Sequence, residues 1–199
     1  MAVRVVIAED EWLAAAVLRH ELEQQGYEVV GAVGTGSEAF DACCAQTPDL
    51  VMMDVQMPGM DGIAATRAVM ERCPTCVVIV TGKARLEEAA EQAGAMSYVL
   101  KPLLGNQISP VVNVARHRFA HFTTVRTESA TPPEALAAWQ VVMRAVKLLV
   151  GRETITEDEA FHRLQTRARA SGTTLQGGAA EFLNGLLGPS PNGSALATH

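Results

Sequence analysis

DLVMMDVQMPGMDG, residues Asp49 to Gly62, is an apolar run that ends on a carboxylate and passes at once into a Pro/Gly loop. A short continuous apolar run bounded by turn residues predicts a strand buried on both faces, as a parallel sheet uses. Asp54 then stands at the carboxyl end of that strand, the edge at which ligands bind in open α/β sheets. A lone Asp ending a strand also serves as a helix or turn cap, so its role depends on what else reaches the same edge.

Working outward, Val3 to Ala8 is a β-rich run ending on Glu9, Asp10 and Glu11. Trp12 to Gln25 predicts an amphipathic helix with an inward stripe of Leu13, Ala16, Val17 and Leu22, stopped by Gly26. Tyr27 to Val33 is a second strand, and Ser37 caps a helix over Glu38 to Gln46. Beyond the opening stretch, Ile63 to Arg72 is a helix, Cys76 to Thr81 a strand and Leu86 to Ala93 a helix. Ala95 to Leu100 is a fifth strand closing on Lys101-Pro102, and Asn106 to Phe122 a helix. Five strands alternating with five helices predict right-handed crossovers and an α/β flavodoxin-like (βα)5 domain over residues 1–122, with strand order 2-1-3-4-5.

That order brings Glu9, Asp10, Asp54, Thr81 and Lys101 to one edge. Carboxylates held close raise one another's pKa unless a hard cation neutralises them, and oxygen-only ligands favour Mg²⁺. A carboxylate so placed can act as nucleophile toward a phosphoryl group. A Lys ammonium and a Thr hydroxyl then supply charge and a hydrogen bond to the phosphoryl oxygens.

On these residues the chain resembles the response-regulator receiver domains of bacterial two-component signalling. The resemblance rests on AED (Glu9, Asp10), MDVQMPGMDG around Asp54, Thr81 at the end of the fourth strand, and YVLKP with Lys101. It implies that Asp54 takes phosphate from a sensor histidine kinase or a small phosphodonor. It further implies Mg²⁺ held by Asp10, Asp54 and the backbone carbonyl of Gln56, with Glu9 acting through water. Thr81 and Tyr98 would rearrange on phosphorylation, and Lys101-Pro102 would be cis. Gly82 stands where the family more often has Ala, and Gln56 and Lys83 face the phosphoryl site. A haloacid-type hydrolase, which also uses a strand-end Asp, needs a second Asp two residues on as general acid. This chain has Gln56 there, and an amide cannot transfer that proton. The expectation is a phospho-acceptor rather than an enzyme.

After Phe122, TTVRTESATPP predicts a linker over residues 123–133, with Pro132-Pro133 opening the next helix. Residues 134–187 predict an all-α three-helix domain. Its first helix carries a stripe of Leu136, Trp139, Val142, Met143, Val146 and Leu149; a second is capped by Thr156 and Glu159, and a third follows Thr173. Three short helices make a small core, expected to lean on the receiver or on a second copy of itself as a homodimer. Residues 188–199 read as a disordered tail.

This second unit resembles the ANTAR domains of transcription antitermination regulators, through ITEDEAFHRLQ with Ala145, Leu148, Leu149 and Ala179 around it. The resemblance implies binding to RNA hairpins in nascent transcripts, with Arg144, Lys147, Arg163, Arg167 and Arg169 available to phosphates and Phe161 or His162 for base stacking. The family's A-K-G run appears as Ala145-Val146-Lys147, and Gln176-Gly177-Gly178 replaces basic and β-branched residues. Each helical Gly costs roughly 1 kcal/mol of helix propensity. The alternative reading is a phosphorylation-controlled partner-binding or dimerisation switch without RNA binding.

Composition agrees with two different halves. Residues 1–115 hold 7 Lys/Arg against 15 Asp/Glu, a net of -8, whereas residues 133–199 hold 6 of each. The acidic part is a poor surface for nucleic acid. No apolar run approaches the roughly 20 residues of a membrane span, so a cytoplasmic protein with no membrane partner is expected. The four cysteines, including Cys73 and Cys76 in C-x-x-C spacing, read as small buried or turn residues in a reducing compartment.

Overall fold

The computed structural model describes residues 2–103 and 105–187. Five strands, β1 (Arg4–Ala8), β2 (Glu28–Val33), β3 (Leu50–Met53), β4 (Val77–Thr81) and β5 (Ser97–Leu100), form one sheet in the order β2-β1-β3-β4-β5. All four pairings are parallel, with Ala8 opposite Met53, Met53 opposite Ile79 and Thr81 opposite Leu100. The interleaved helices are α1 (Trp12–Gln24), α2 (Gly36–Gln46), α3 (Gly62–Arg72), α4 (Glu87–Ala93) and α5 (Gly105–Thr127). Because successive side chains leave a strand on opposite faces, β1 and β3 each feed two helical layers. Val6, Ala8, Val51 and Met53 pack with Ala39, Cys43, Ala65 and Val69 in one core, and Val5, Ile7, Leu50 and Met52 are equally buried on the other face.

Four expectations need correction, the smallest being the cap of α2: Thr35, not Ser37, caps it, its Oγ1 accepting the Glu38 N–H at 3.2 Å. The inward face of α1 is not the stripe of Leu13, Ala16 and Val17: Trp12 is 79%, Leu13 60% and Val17 53% exposed, and the wholly buried side chain is Leu22. The apolar residues of this helix exceed what one face can hold, so periodicity alone does not say which stripe turns inward.

The linker expected over residues 123–133 is shorter. Phe122 and Val125 are buried and draw α5 on to Thr127. The polar side chains that suggested a break fold back onto the helix: Thr123, Thr127 and Ser129 donate hydroxyl hydrogen bonds to the carbonyls of Phe119, Thr124 and Val125. After residues 128–131, α6 (Pro132–Glu153) starts from a capping box that sequence reading overlooked. Thr131 Oγ1 accepts from the Glu134 N–H at 3.4 Å, and the Glu134 carboxylate accepts from the Ala130 and Thr131 N–H groups at 3.1 Å each.

The cysteines divide into two kinds. Cys43 and Cys76 are free and buried, and burial pushes their thiols up to about 11 and about 12. Cys44 and Cys73 form a disulfide with Cα atoms 5.4 Å apart, contrary to the expectation of four reduced residues. Packing of α2 beside α3 sets the last turn of one beside the C-cap of the other, an adjacency that a sequence separation of 29 conceals.

The chain divides into two compact units between Ala137 and Ala138, within α6. In the second unit, the rest of α6 is followed by α7 (Glu157–Ser171) and α8 (Leu175–Leu187). Trp139 stacks on Phe161 with ring centroids 5.8 Å apart and planes at 11°. Thr156 caps α7 by accepting the Glu159 N–H at 3.2 Å, and Gly172 closes that helix in the left-handed conformation at φ 64°. The Gly178 position is explained by packing: a Cβ there would lie 2.9 Å from the Ala168 backbone nitrogen, so its absence lets α8 approach α7 closely. Among the described residues no helix is long and apolar enough to cross a membrane. The tail expected over residues 188–199 lies outside the described residues.

Candidate functional site

Backbone hydrogen bonds at the sheet's carboxyl edge fix where the polar side chains emerge. Asp54 N–H donates to the Ala8 carbonyl at 2.8 Å, Glu9 N–H to Val33 at 2.9 Å and Lys101 N–H to Thr81 at 2.9 Å. Glu9, Asp54 and Lys101 are therefore laid side by side from three strands. Glu9 and Asp54 are only 7% and 6% exposed, and Asp10 lies outside them, exposed.

Lys101 joins the two buried acids. Its Nζ donates to Asp54 Oδ2 at 2.9 Å and to Glu9 Oε2. Asp54 Oδ1 accepts from the Val55 N–H at 2.6 Å, so both oxygens of Asp54 are oriented by donors. Burial, with the nearby Asp54 charge, pushes the Glu9 carboxyl above its usual value despite the opposing pull of Lys101. Burial alone would lower Lys101, but its hydrogen bonds to Glu9 and Asp54 outweigh that and hold the ammonium above its usual value. One carboxylate oxygen from each of Glu9, Asp10 and Asp54 lies within 4.8 Å of the others. This all-oxygen set suits a hard divalent cation such as Mg²⁺.

Thr81 is fully buried at the end of β4. Its Oγ1 accepts the Lys83 N–H at 3.3 Å, while the Tyr98 hydroxyl donates to the carbonyl of the same Lys83. The two residues expected to rearrange on phosphorylation thus bond the same loop residue, Thr81 at its N–H and Tyr98 at its carbonyl. Gln56 and Lys83 line, with Asp10, Met57 and Asp61, a cleft of about 460 Å³ beside the acids. The Lys101–Pro102 peptide is cis. At Gly82 a Cβ would meet open space, so an Ala would fit.

Gly62 is the site residue that sequence reading missed. A Cβ there would lie 1.9 Å from the Asp54 carbonyl oxygen, and its N–H donates to Val55 at 3.0 Å. Only glycine lets α3 start directly against the Asp54 backbone. The signal was present as Asp61-Gly62: Asp61 caps α3 by accepting the Ala64 N–H at 2.8 Å, which puts the next residue in the crowded first turn.

On the second unit, Arg144, Lys147, Arg163, Arg167 and Arg169 are all exposed, and Arg152 adds a cation to the exposed side of α6. They are not equivalent. Arg163 pairs with Glu153 and with Glu159, the latter at 2.6 Å, and Arg167 lies 3.9 Å from Glu181. Phe161 is buried, whereas His162 is exposed.

A doubly wound parallel sheet with an acid, lysine and hydroxyl edge, followed by a three-helix unit, defines a phospho-signalling receiver joined to a helical effector. Residues 5–113 match the response regulator receiver domain, residues 133–183 match the ANTAR domain, and the chain belongs to the response regulators that combine the two. It is 38% identical over 175 residues to the transcriptional regulatory protein PdtaR of Mycobacterium tuberculosis, covering 87% of this chain and 85% of that one. Among solved structures it is similar to the receiver domain of the response regulator NarL of M. tuberculosis, with TM-score 0.54 and 30% identity over 58% of this chain and 97% of that one. The CheX–CheY–BeF3–Mg complex of Borrelia burgdorferi matches with TM-score 0.52 and 25% identity over 55% of this chain and 86% of that one.

Proposed function

We propose that Asp54 is the phospho-acceptor of a Mg²⁺-dependent switch, charged by a sensor histidine kinase or a small phosphodonor. Its output is the binding of RNA hairpins by the ANTAR unit, and so transcription antitermination. The observation that carries this reading is the single Lys101 ammonium bridging two buried carboxylates, Glu9 and Asp54, with a third, Asp10, beside them.

The chemistry follows from that arrangement. An Asp54 carboxylate oxygen attacks phosphorus, the bond from phosphorus to the donor's nitrogen or oxygen breaks, and the donor leaves with the electron pair. Asp10, Asp54, the Gln56 carbonyl and Glu9 through water would hold Mg²⁺, which supplies charge neutralisation among the acids and the phosphoryl oxygens. Lys101, already aimed at Asp54 Oδ2, turns to a phosphoryl oxygen once the carboxylate is esterified. The Thr81 hydroxyl turns toward the new group and gives up its bond from Lys83. Tyr98, held by the carbonyl of the same residue, then loses its anchor, which carries the change to the outer face of β5.

For RNA, Arg144 and Arg169 are the side chains least occupied by acids, with Lys147 one turn from Arg144 and Arg152 further along α6. Ion pairing of Arg163 and Arg167, in a segment with equal numbers of cations and anions, favours a second reading, a partner-binding or dimerisation switch without RNA affinity.

Titrating tandem-hairpin RNA with the full-length protein, with and without beryllofluoride, at two salt concentrations separates the readings. Under the antitermination reading the beryllofluoride form binds with an affinity that falls with salt. Arg144→Ala lowers the log–log salt slope by about one, and Arg163→Ala lowers it less. If neither form shows salt-dependent affinity, the RNA reading fails and the partner switch stands.

A further inference from the structure

We propose that Cys44 and Cys73 are a reversible redox modification site, closed by exchange with an oxidised low-molecular-weight thiol and opened by its reduced form. The receiver sorts its four cysteines by access. Cys43 and Cys76 are 1% exposed, and burial holds their thiols protonated at neutral pH, so neither serves as a nucleophile. Cys44 and Cys73 are half-buried, at the solvent-facing ends of α2 and α3, with their Cα atoms at 5.4 Å, within the range a disulfide spans without backbone movement. The bond therefore opens and closes inside the folded receiver.

Each step balances. A Cys thiolate attacks one sulfur of the oxidised small thiol, forming a mixed disulfide and releasing one small thiolate. The second Cys thiolate attacks the protein sulfur of that mixed disulfide; the Cys44–Cys73 bond forms and the second small thiolate leaves. Two protein thiols are oxidised, one small disulfide is reduced to two thiols, and reversal uses the same steps.

The position of the link gives it a consequence for the switch domain. The enclosed chain carries β3, Asp54, the loop after it and α3. At their other ends α2 and α3 are seated at that loop by backbone contact. A Cβ on Gly36 would lie 2.3 Å from the Met60 carbonyl, and one on Gly62 1.9 Å from that of Asp54. The helical layer is thus fixed beside the phosphoryl edge by close packing and at its far end by a covalent bond. Reduction frees the far end and leaves the acid edge in place.

The test equilibrates the full-length protein in glutathione buffers of stepped reduced-to-oxidised ratio, followed by acid quench, alkylation, intact mass and peptide mapping. Two thiols should appear together as the ratio rises and disappear when it is lowered, with every linked peptide joining Cys44 to Cys73; Cys43 and Cys76 should alkylate only after denaturation. The melting midpoint of the receiver should be higher in the oxidised buffer by on the order of 10 °C. Cys44→Ser and Cys73→Ser should each remove that difference. A link that never forms, that resists every ratio without denaturant, that includes Cys43 or Cys76, or that joins two chains overturns the proposal. So does an equal wild-type midpoint in both buffers. Should either Ser variant fail to fold, the wild-type titration decides alone.

Discussion

The acid edge of the receiver sheet and the exposed side of the three-helix unit both gather charged side chains, and they do so under opposite conditions. At the edge, Glu9 and Asp54 are nearly buried and share one cation, Lys101. On the helices, Arg163 and Arg167 meet Glu153, Glu159 and Glu181 with all partners about half exposed. Buried charges must be paired or neutralised, so the edge admits few alternatives and its chemistry is strongly specified. Exposed pairs are screened by solvent and contribute little to stability, so those on the helices can exchange a carboxylate for a phosphate readily. The first region fixes the placement of its charges, and the second leaves its charges free to exchange partners.

If that contrast holds, the second unit should depend on its apolar stack more than on its charges. Trp139→Ala, which removes the ring packed on Phe161, should destabilise that unit by about 3 to 5 kcal/mol, read by chemical denaturation with a probe confined to residues 138–187. A loss below 1 kcal/mol would mean that the ion pairs carry more than assigned. In the receiver the reverse applies. Lys101→Ala should slow phosphate uptake by on the order of 10²-fold at saturating Mg²⁺, in a rate assay with a small phosphodonor. A change under threefold would reduce Lys101 to charge balance.

Two glycines of α8 differ in the space around them. Gly178→Ala should cost about 1 to 2 kcal/mol, because the close approach to Ala168 outweighs the gain in helix propensity. Gly185→Ala, where a Cβ meets open space, should stabilise by roughly 0.5 to 1 kcal/mol. Denaturation midpoints of the two variants should therefore move in opposite directions, and movement in one direction would contradict the packing account.

How far the sequence can be read follows from the same physics. The strand ends are legible because apolar runs stop abruptly on Glu9, Asp54, Thr81 and Lys101, and parallel topology leaves one edge for them to share. The face of α1 is not, since Trp12, Leu13 and Val17 satisfy an inward stripe as well as Leu22 does. The Cys44–Cys73 bond is invisible because it depends on how two helices pack, not on spacing. The helix through residues 123–127 is hidden by hydroxyl residues that usually break helices and here bond back onto this one. At Gly178 the propensity cost was legible, but its reason lies in the approach of α8 to α7.

Intact-mass measurement shows whether Asp54 accepts phosphate with Mg²⁺ beside it. The full-length protein and Asp54→Asn are incubated with a small phosphodonor, with Mg²⁺ or with excess chelator. The wild type should gain one acid-labile phosphate in Mg²⁺ and none in chelator, and Asp54→Asn should gain none in either. Uptake retained by Asp54→Asn, or uptake by the wild type indifferent to Mg²⁺, would rule out Asp54 as a Mg²⁺-dependent phospho-acceptor.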